Sequence, residues 1–180
     1  YVREGALLAL SNCGAEAARH LDEINAVAND PDWWVRAGVA NVLRYVENPL
    51  TGKKATETIR NFLAEKSVFG RNRFRNALTE MAKRGDAVDE IVNALIEETR
   101  SEDSFNASQA VGALAQIGPN AKAALPIFEK KLAEAKARLA GANTPDKKKQ
   151  FERQVRDAEA TINRINPSAE PAKQPRKKKK

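Results

Sequence analysis

Cysteine and histidine are almost absent from this chain of 180 residues, since each occurs once, as Cys13 and His20. A single cysteine excludes an internal disulfide, and these two residues alone argue against a zinc site or a histidine-based catalytic triad. The sequence also lacks a glycine-rich phosphate loop and a nucleophile elbow. We therefore expect no enzymatic activity, no cofactor and no metal, and we interpret Cys13 as a small core residue and His20 as a surface or packing residue.

Aromatic residues and long apolar runs are also scarce. The chain has six Phe, two Trp and two Tyr, whereas alanine occurs 31 times. A core of small aliphatic side chains favours closely packed helices over a β-sandwich. No apolar run reaches the roughly 18 residues that a membrane-spanning helix needs. The composition predicts a soluble all-α protein, for which we expect a cytoplasmic location.

Positive charge is concentrated at the carboxyl end. Lys and Arg exceed Asp and Glu by 31 to 24, giving a net charge of +7. Residues 167–180 hold six basic residues and one acid, so this tail carries +5 and the rest of the chain +2. The tail has three prolines and no apolar periodicity, which predicts disorder.

An internal repeat organises the first 140 residues. Similar segments occur at residues 2–14, 35–47, 74–85 and 107–118, with a period of roughly 35 residues. Each is followed by a second stretch with apolar residues three and four positions apart, which is typical of a helix face. Helix-breaking residues are expected between the helices, at Gly14, Pro49, Gly52, Gly70, Gly85, Gly118 and Pro119. Asp30 is expected to be the N-cap of a helix that begins at Pro31. The pattern predicts four helical hairpins stacked into an α-solenoid.

Two segments resemble a known family. Residues 30–36, Asp-Pro-Asp-Trp-Trp-Val-Arg, and residues 117–127, Ile-Gly-Pro-Asn-Ala-Lys-Ala-Ala-Leu-Pro-Ile, are similar to HEAT repeats of the short bacterial type. The resemblance covers about residues 1–140 and implies a protein-binding α-solenoid, with first helices on the convex side and second helices on the concave side. It transfers no catalytic residue. The third repeat departs from the pattern because residues 68–75 lack the Asp-Pro start.

A different pattern follows the fourth repeat. Apolar residues alternate at four- and three-residue spacing on both sides of residues 140–144, and Thr144 precedes Pro145 as an N-cap would. These seams predict an antiparallel hairpin. We assign residues 1–140 to the solenoid, 141–166 to a capping helix and 167–180 to the tail. Lys147, Lys148 and Lys149 oppose the dipole of that helix without a structural explanation.

Aromatic and basic side chains supply the first candidate sites. One exposed residue of the pair Trp33 and Trp34 could anchor a protein or stack on a base, but both could instead pack between repeats. A basic patch interleaved with Phe69 and Phe74 could bind phosphate or an acidic protein, or could be a solvated face; it comprises Arg71, Arg73, Arg75, Lys83 and Arg84. The basic tail could contact nucleic acid, an anionic lipid surface or an acidic protein, or serve solubility alone.

Three functional classes remain open. The first is a noncatalytic protein-protein interaction scaffold whose concave surface exposes Lys54, Glu57, Thr58 and Asn61. Its partner is another protein, or upstream repeats of the same chain that would cover the apolar stripe around Val2, Ala6, Leu7 and Leu10. The second is a nucleic-acid binder, since HEAT-like alkylpurine DNA glycosylases use basic concave faces with tryptophans, although +2 is little charge for this purpose. The third is an enzyme-associated repeat such as those of phycobilin lyases, which nothing beyond the repeat supports.

Overall fold

The described residues form α-helices joined by short turns and 3-10 helices. The computed structural model describes residues 2–46 and 53–167, and for Ala15 and residues 53–57 it describes the backbone alone. Across these ranges there is no β-strand, which confirms the all-α prediction. Short 3-10 helices occupy Gly14–His20, Val27–Asn29 and Gly118–Ala124. The α-helices are α1 (Val2–Ser11), α2 (Leu21–Ala26), α3 (Trp33–Tyr45), α4 (Lys53–Ala64), α5 (Val68–Arg84), α6 (Val88–Glu98), α7 (Ser104–Ile117), α8 (Leu125–Ala140) and α9 (Pro145–Ile165).

The turn before α3 differs from the prediction. Asp32, not Asp30, is the N-cap of α3, and its Oδ1 accepts a hydrogen bond from the amide of Trp34 at 2.9 Å. Asp30 instead closes the preceding turn, because its Oδ1 accepts a hydrogen bond from the amide of Asp32 at 2.9 Å. Each aspartate therefore binds the amide two residues ahead, and the helix begins after Pro31 rather than at it.

Gly70 lies within a helix, contrary to the expectation that it separates two. Ser67 caps α5 by accepting a hydrogen bond from the amide of Gly70 at 3.3 Å. A Cβ atom on Gly70 would lie 2.8 Å from Cδ of Glu65, so this position needs glycine for space. Gly85 does end a helix as predicted, with φ of +98°, which an L-residue with a side chain rarely adopts. The expected breakers Pro49 and Gly52 lie outside the described residues.

Residues 1–121 form one compact unit. In it α1 packs on α3, α3 on α5 and α5 on α7, while α4 contacts α5 and α6, and α6 contacts α5 and α7. The approach of α1 to α3 is close because Gly38 has no side chain, and a Cβ there would lie 2.9 Å from Cδ1 of Leu7. Leu7 is consequently buried, whereas it was expected to be uncovered; Val2 of the same stripe is 88% exposed.

The first of the hairpins predicted from the repeat is less regular than expected. Its second helix is divided into a 3-10 turn, the six-residue α2 and another 3-10 turn. Cys13 was expected in the core but is exposed, because α1 ends at Ser11 and the chain changes direction at Gly14, where φ is +54°. The Cys13 thiol donates a hydrogen bond to the carbonyl of Ala9.

The described residues from Lys122 onward form the second compact unit, in which α8 packs on α9 as the two apolar seams predict. Thr144 caps α9, since its hydroxyl accepts a hydrogen bond from the amide of Lys147 at 3.3 Å. The two helices are also joined by an ion pair between Lys136 and Glu159 at 3.1 Å. The tail predicted to be disordered comprises residues 167–180, and of these, residues 168–180 lie outside the described residues.

Candidate functional site

Three aromatic side chains form a cluster at the starts of α3 and α5. The ring centroids of Trp33 and Trp34 are 4.2 Å apart with 26° between the planes, and those of Trp33 and Phe69 are 5.8 Å apart with 27°. Trp34 is 49% exposed and Phe69 71% exposed, while Trp33 is half-buried between them. We call these three residues the aromatic cluster. Of the two alternatives, exposure of one tryptophan or packing of both between repeats, the structure shows the first, with Trp34 as the exposed residue.

The position of these rings follows from the helix starts. Trp33 and Trp34 occupy the first turn of α3, directly after the Asp32 cap, and Phe69 occupies the first turn of α5. Helical side chains lean toward the N-terminus, so those of a first turn extend past the helix end instead of covering a preceding turn. The next residue of α3, Val35, is buried and supplies the core contact. The tryptophans are therefore left on the surface.

A shallow groove of about 110 Å³ lies beside Trp34. Leu8, which is 59% exposed, contributes apolar surface, and Arg73 is exposed. No ion pair involves Arg73 within residues 2–46 and 53–167. The groove thus combines an indole ring, aliphatic surface, the guanidinium of Arg73 and the carboxylate of Glu4. Its lining residues are Glu4, Leu8, Trp34, Ala37, Gly38, Asn41 and Arg73.

A buried ion pair fixes the two helices that carry the cluster. Glu65, at the end of α4, accepts hydrogen bonds from Arg36 Nε at 2.6 Å and Nη2 at 3.1 Å, and from the amide of Ser67 at 2.6 Å. Its side chain is 0% exposed. Burial acts to raise the pKa of the Glu65 carboxyl, but the hydrogen bonds from Arg36 and Ser67 outweigh burial, and the pKa is lowered. Hydrogen bonding to Glu65 raises the pKa of Arg36.

The basic patch predicted around residues 71–84 does not form as an open surface. Arg75 is buried and donates to Glu98 from Nε at 3.0 Å and from Nη2 at 2.6 Å, so its assignment as a binding residue is wrong. Arg71 donates to the carbonyl of Glu65 at 3.0 and 3.1 Å and closes the end of α4. Lys83 pairs with Glu80 and Arg84 with Asp86. Of these five basic residues, Arg73 alone lies beside the aromatic cluster.

The repeat itself contained the signal that explains Arg75. Arg3, Arg36 and Arg75 follow an apolar residue at corresponding places in three repeats. Arg3 pairs with Asp30, Arg36 with Glu65 and Arg75 with Glu98, in each case joining a first helix to the end of the second helix that follows it. We call these three pairs the hairpin latches. An arginine repeated at one place in a structural unit indicates a structural role.

The second-helix surface also differs from the prediction. Thr58 was expected to be exposed but is fully buried, because it lies four residues before the buried Phe62 on the same face of α4. Asn61 is half-buried and borders a polar groove of about 460 Å³ together with Asp22, Asn25, Asn29 and Arg60. The side chains of the remaining candidates, Lys54 and Glu57, lie outside the described residues.

Asn25 is a buried amide beside this polar groove. Within the described ranges neither its Oδ1 nor its Nδ2 has a hydrogen-bond partner. A buried polar group without a partner lowers stability, because it loses its hydrogen bonds to water without replacement. Both polar atoms are also covered by protein, so the amide offers no accessible contact to a ligand.

A further apolar groove of about 370 Å³ lies between α1 and α2. Its lining is mainly aliphatic, with Ala6, Leu10, Ile24 and Val27 among the contributors. This groove includes part of the stripe for which upstream repeats were predicted as a cover. That partner stays a prediction.

Features suited to metal binding or membrane spanning are absent from the described residues. No set of three or more His, Cys, Asp or Glu residues with a metal-binding arrangement occurs in the described parts of the chain. His20 is exposed and its Nδ1 lies 3.9 Å from a carboxylate oxygen of Glu23. Among the described helices, none has the length and apolar character that crossing a membrane requires.

Comparison with known proteins gives no match to a protein-family model, to a curated protein or to a solved structure. The resemblance to HEAT repeats therefore rests on the residues quoted above.

Proposed function

We propose that this chain is a noncatalytic protein-interaction scaffold of the HEAT-like α-solenoid type, and that the aromatic cluster is its docking surface. The succession of contacts from α1 through α3 and α5 to α7 supports a stack of the first helices of the repeats. The three hairpin latches support a common hairpin unit. The proposal includes a cytoplasmic location, which agrees with the near absence of cysteine.

The exposed aromatic cluster is the observation that carries this proposal. Tryptophan is enriched among the few residues that dominate the binding energy of protein interfaces. Here two tryptophans and a phenylalanine lie side by side with Leu8 and Arg73, instead of being scattered over the surface. Exposed aromatic surface with a neighbouring polar rim is typical of a protein-binding site.

The charge of the first unit favours a protein over nucleic acid as the partner of this surface. Residues 1–121 contain 14 basic and 17 acidic residues, a net charge of −3. Nucleic-acid binding depends on basic residues that neutralise phosphates. Base stacking on Trp34 would have to overcome repulsion from this unit as a whole. The proposed docking surface lies at the starts of α3 and α5, and not on the second-helix surface that the sequence predicts.

The test uses the fluorescence of the chain itself. Both of its tryptophans belong to the aromatic cluster, so the emission reports on this surface alone. A partner captured by the full-length wild-type chain should shift the emission and reduce quenching by acrylamide. Its affinity should fall by about 30-fold or more for Trp34→Ala, as expected for a central interface residue.

Tyr45→Ala is the matched control, because Tyr45 is 50% exposed but lies at the opposite end of α3 from Trp34. It should leave the affinity unchanged within about two-fold. Equal affinity of wild type and a Trp34→Ala, Phe69→Ala double variant would show that the partner docks elsewhere, and preferential capture of nucleic acid through Trp34 would favour the other functional class.

A further inference from the structure

The second unit holds all of the net positive charge of the protein. Residues 122–180 contain 17 basic and seven acidic residues, a net charge of +10, against −3 for residues 1–121. The tail accounts for half of this excess. Residues 122–167, which include the hairpin of α8 and α9, hold 11 basic and six acidic residues. The hairpin is therefore as basic in net charge as the tail, which the sequence pattern alone did not reveal.

Basic residues line one side of α9. With about 100° of rotation per residue, Lys149, Arg153, Arg156 and Arg164 fall within an arc of about 80°. The apolar seam of α9 fills a similar arc centred about 180° away; it consists of Phe151, Val155, Ala158, Ile162 and Ile165. The four basic side chains are exposed, whereas the seam residues are half-buried or buried. We call these four basic residues the basic stripe.

The fold neutralises little of this charge. Within the stripe, Arg153 has an ion pair, with Asp157 at 3.8 Å, and both partners are more than 70% exposed. Glu159, on another side of α9, pairs with Lys136 of α8. In the described part of the chain no ion pair involves Lys149, Arg156 or Arg164. The stripe thus repels itself in the free protein, and a polyanion would relieve this repulsion.

The start of α9 also carries more basic than acidic residues. Lys147, Lys148 and Lys149 are all exposed in its first turns, where the positive end of the helix dipole disfavours cations. Asp146 is the one acidic residue of that first turn. Three lysines at this place reduce the stability of the helix, so their presence points to a role in binding.

We infer that the hairpin of α8 and α9 binds nucleic acid through its phosphodiester backbone, with the basic stripe along a strand. A helix of 21 residues is about 32 Å long, comparable to nine base pairs at 3.4 Å each. Stripe residues separated by one or two turns can contact successive phosphates. Such contacts position a nucleic acid without reading its sequence.

The surface of the hairpin favours nucleic acid over a lipid bilayer or an acidic protein. The exposed large apolar side chains of the described residues all lie between Val2 and Phe105, outside the hairpin. Helices that bind a membrane surface insert large apolar side chains, and protein interfaces use such residues as central anchors. The hairpin offers charge without either. This inference is independent of the protein-docking function, which rests on the first unit.

The test compares two triple variants of the full chain that have the same net charge. Lys149→Gln, Arg156→Gln and Arg164→Gln together neutralise the stripe but spare Arg153 and its partner. Arg19→Gln, Lys66→Gln and Arg100→Gln together neutralise three exposed basic residues of the first unit. Both variants lower the formal net charge from +7 to +4. Glutamine preserves helix propensity, and thermal melts followed by circular dichroism verify that both variants fold.

The probe is a fluorescent DNA duplex of 20 base pairs with mixed sequence, titrated by anisotropy between 50 and 200 mM salt. The slope of log K against log salt should fall by up to about 2.7 for the stripe variant, since each lost phosphate contact removes about 0.9. The affinity of this variant should fall at least ten-fold at 100 mM salt, and that of the control variant by less than two-fold.

Three results would overturn the inference. Equal binding by wild type and stripe variant, or equal losses in the two variants, would assign the affinity to the tail or to net charge. Sedimentation with vesicles containing 30% phosphatidylserine is measured in parallel. Retention on vesicles without binding to the duplex would identify an anionic lipid surface as the ligand.

Discussion

Replacing Glu65 by glutamine should destabilise the protein far more than its conservative chemistry suggests. The carboxylate accepts three hydrogen bonds, from two nitrogens of Arg36 and from the amide of Ser67, and its side chain is fully buried. Glutamine fits the same volume but has one acceptor oxygen and one donor nitrogen. At least one donor among Arg36 and Ser67 would then face an NH₂ group, and the Arg36 guanidinium would lose its counter-charge.

The size of the effect follows from the burial of the pair. Removing one member of a buried ion pair costs about 3–5 kcal/mol because the other charge is left uncompensated. The Arg36 side chain is 21% exposed, so water can partly solvate it in the variant. We therefore expect a loss of about 3 kcal/mol in the free energy of unfolding, at the lower end of that range. The melting temperature should fall by roughly 6–12 °C.

Urea denaturation followed by circular dichroism measures this loss. Glu97→Gln is the matched control, because Glu97 and Arg100 also form an ion pair at 2.6 Å, but their side chains are 65% and 68% exposed. It should change the free energy of unfolding by no more than about 0.5 kcal/mol. If the free energy of unfolding of Glu65→Gln also lies within about 0.5 kcal/mol of that of wild type, the buried ion pair does not stabilise the packing of α3 and α5.

Three further changes can be tested by the same unfolding measurements. Because the pKa of Glu65 is lowered in the folded protein, the carboxylate stabilises the protein above its usual pKa near 4.5, and this stabilisation is lost as the pH falls through the lower pKa of the folded state. Wild type should therefore lose stability more steeply below pH 4.5 than Glu65→Gln does. Parallel pH profiles of the two proteins would refute this. Gly38→Ala should be less stable than Gly112→Ala by about 1–3 kcal/mol, since a Cβ at position 38 would collide with Leu7 whereas one at 112 meets nothing within 4 Å. Asn25→Leu should raise the free energy of unfolding by about 1 kcal/mol, because it replaces an unpaired buried amide with an apolar side chain of similar size; a loss would show that the amide has a partner.

The sequence predicted helices and their order better than it predicted surfaces. Periodicity indicated the apolar faces of α3, α8 and α9 because helical neighbours are only three or four residues apart. Thr58 was misplaced because a threonine on the buried face of α4 has the polarity of a surface residue. Arg75 was misplaced because its partner, Glu98, is 23 residues away, and no local pattern shows that distance.

The aromatic cluster was predicted only in part for a related reason. The adjacency of Trp33 and Trp34 left open whether one of them is exposed or both pack between repeats. The contribution of Phe69 depends on the approach of α5 to α3, 36 residues further along the chain. The net charges of −3 for the first unit and +10 for the second could not be predicted either, because they depend on the boundary between the units after residue 121.

The hairpin latches become progressively less accessible to water along the chain. The arginine side chain is 62% exposed at Arg3, 21% at Arg36 and 3% at Arg75. Water competes with the first pair and is excluded from the third, so the hairpins should open locally in that order, from the amino end inward. Amide hydrogen exchange should therefore be fastest in α1, intermediate in α3 and slowest in α5, because local unfolding begins at the amino end.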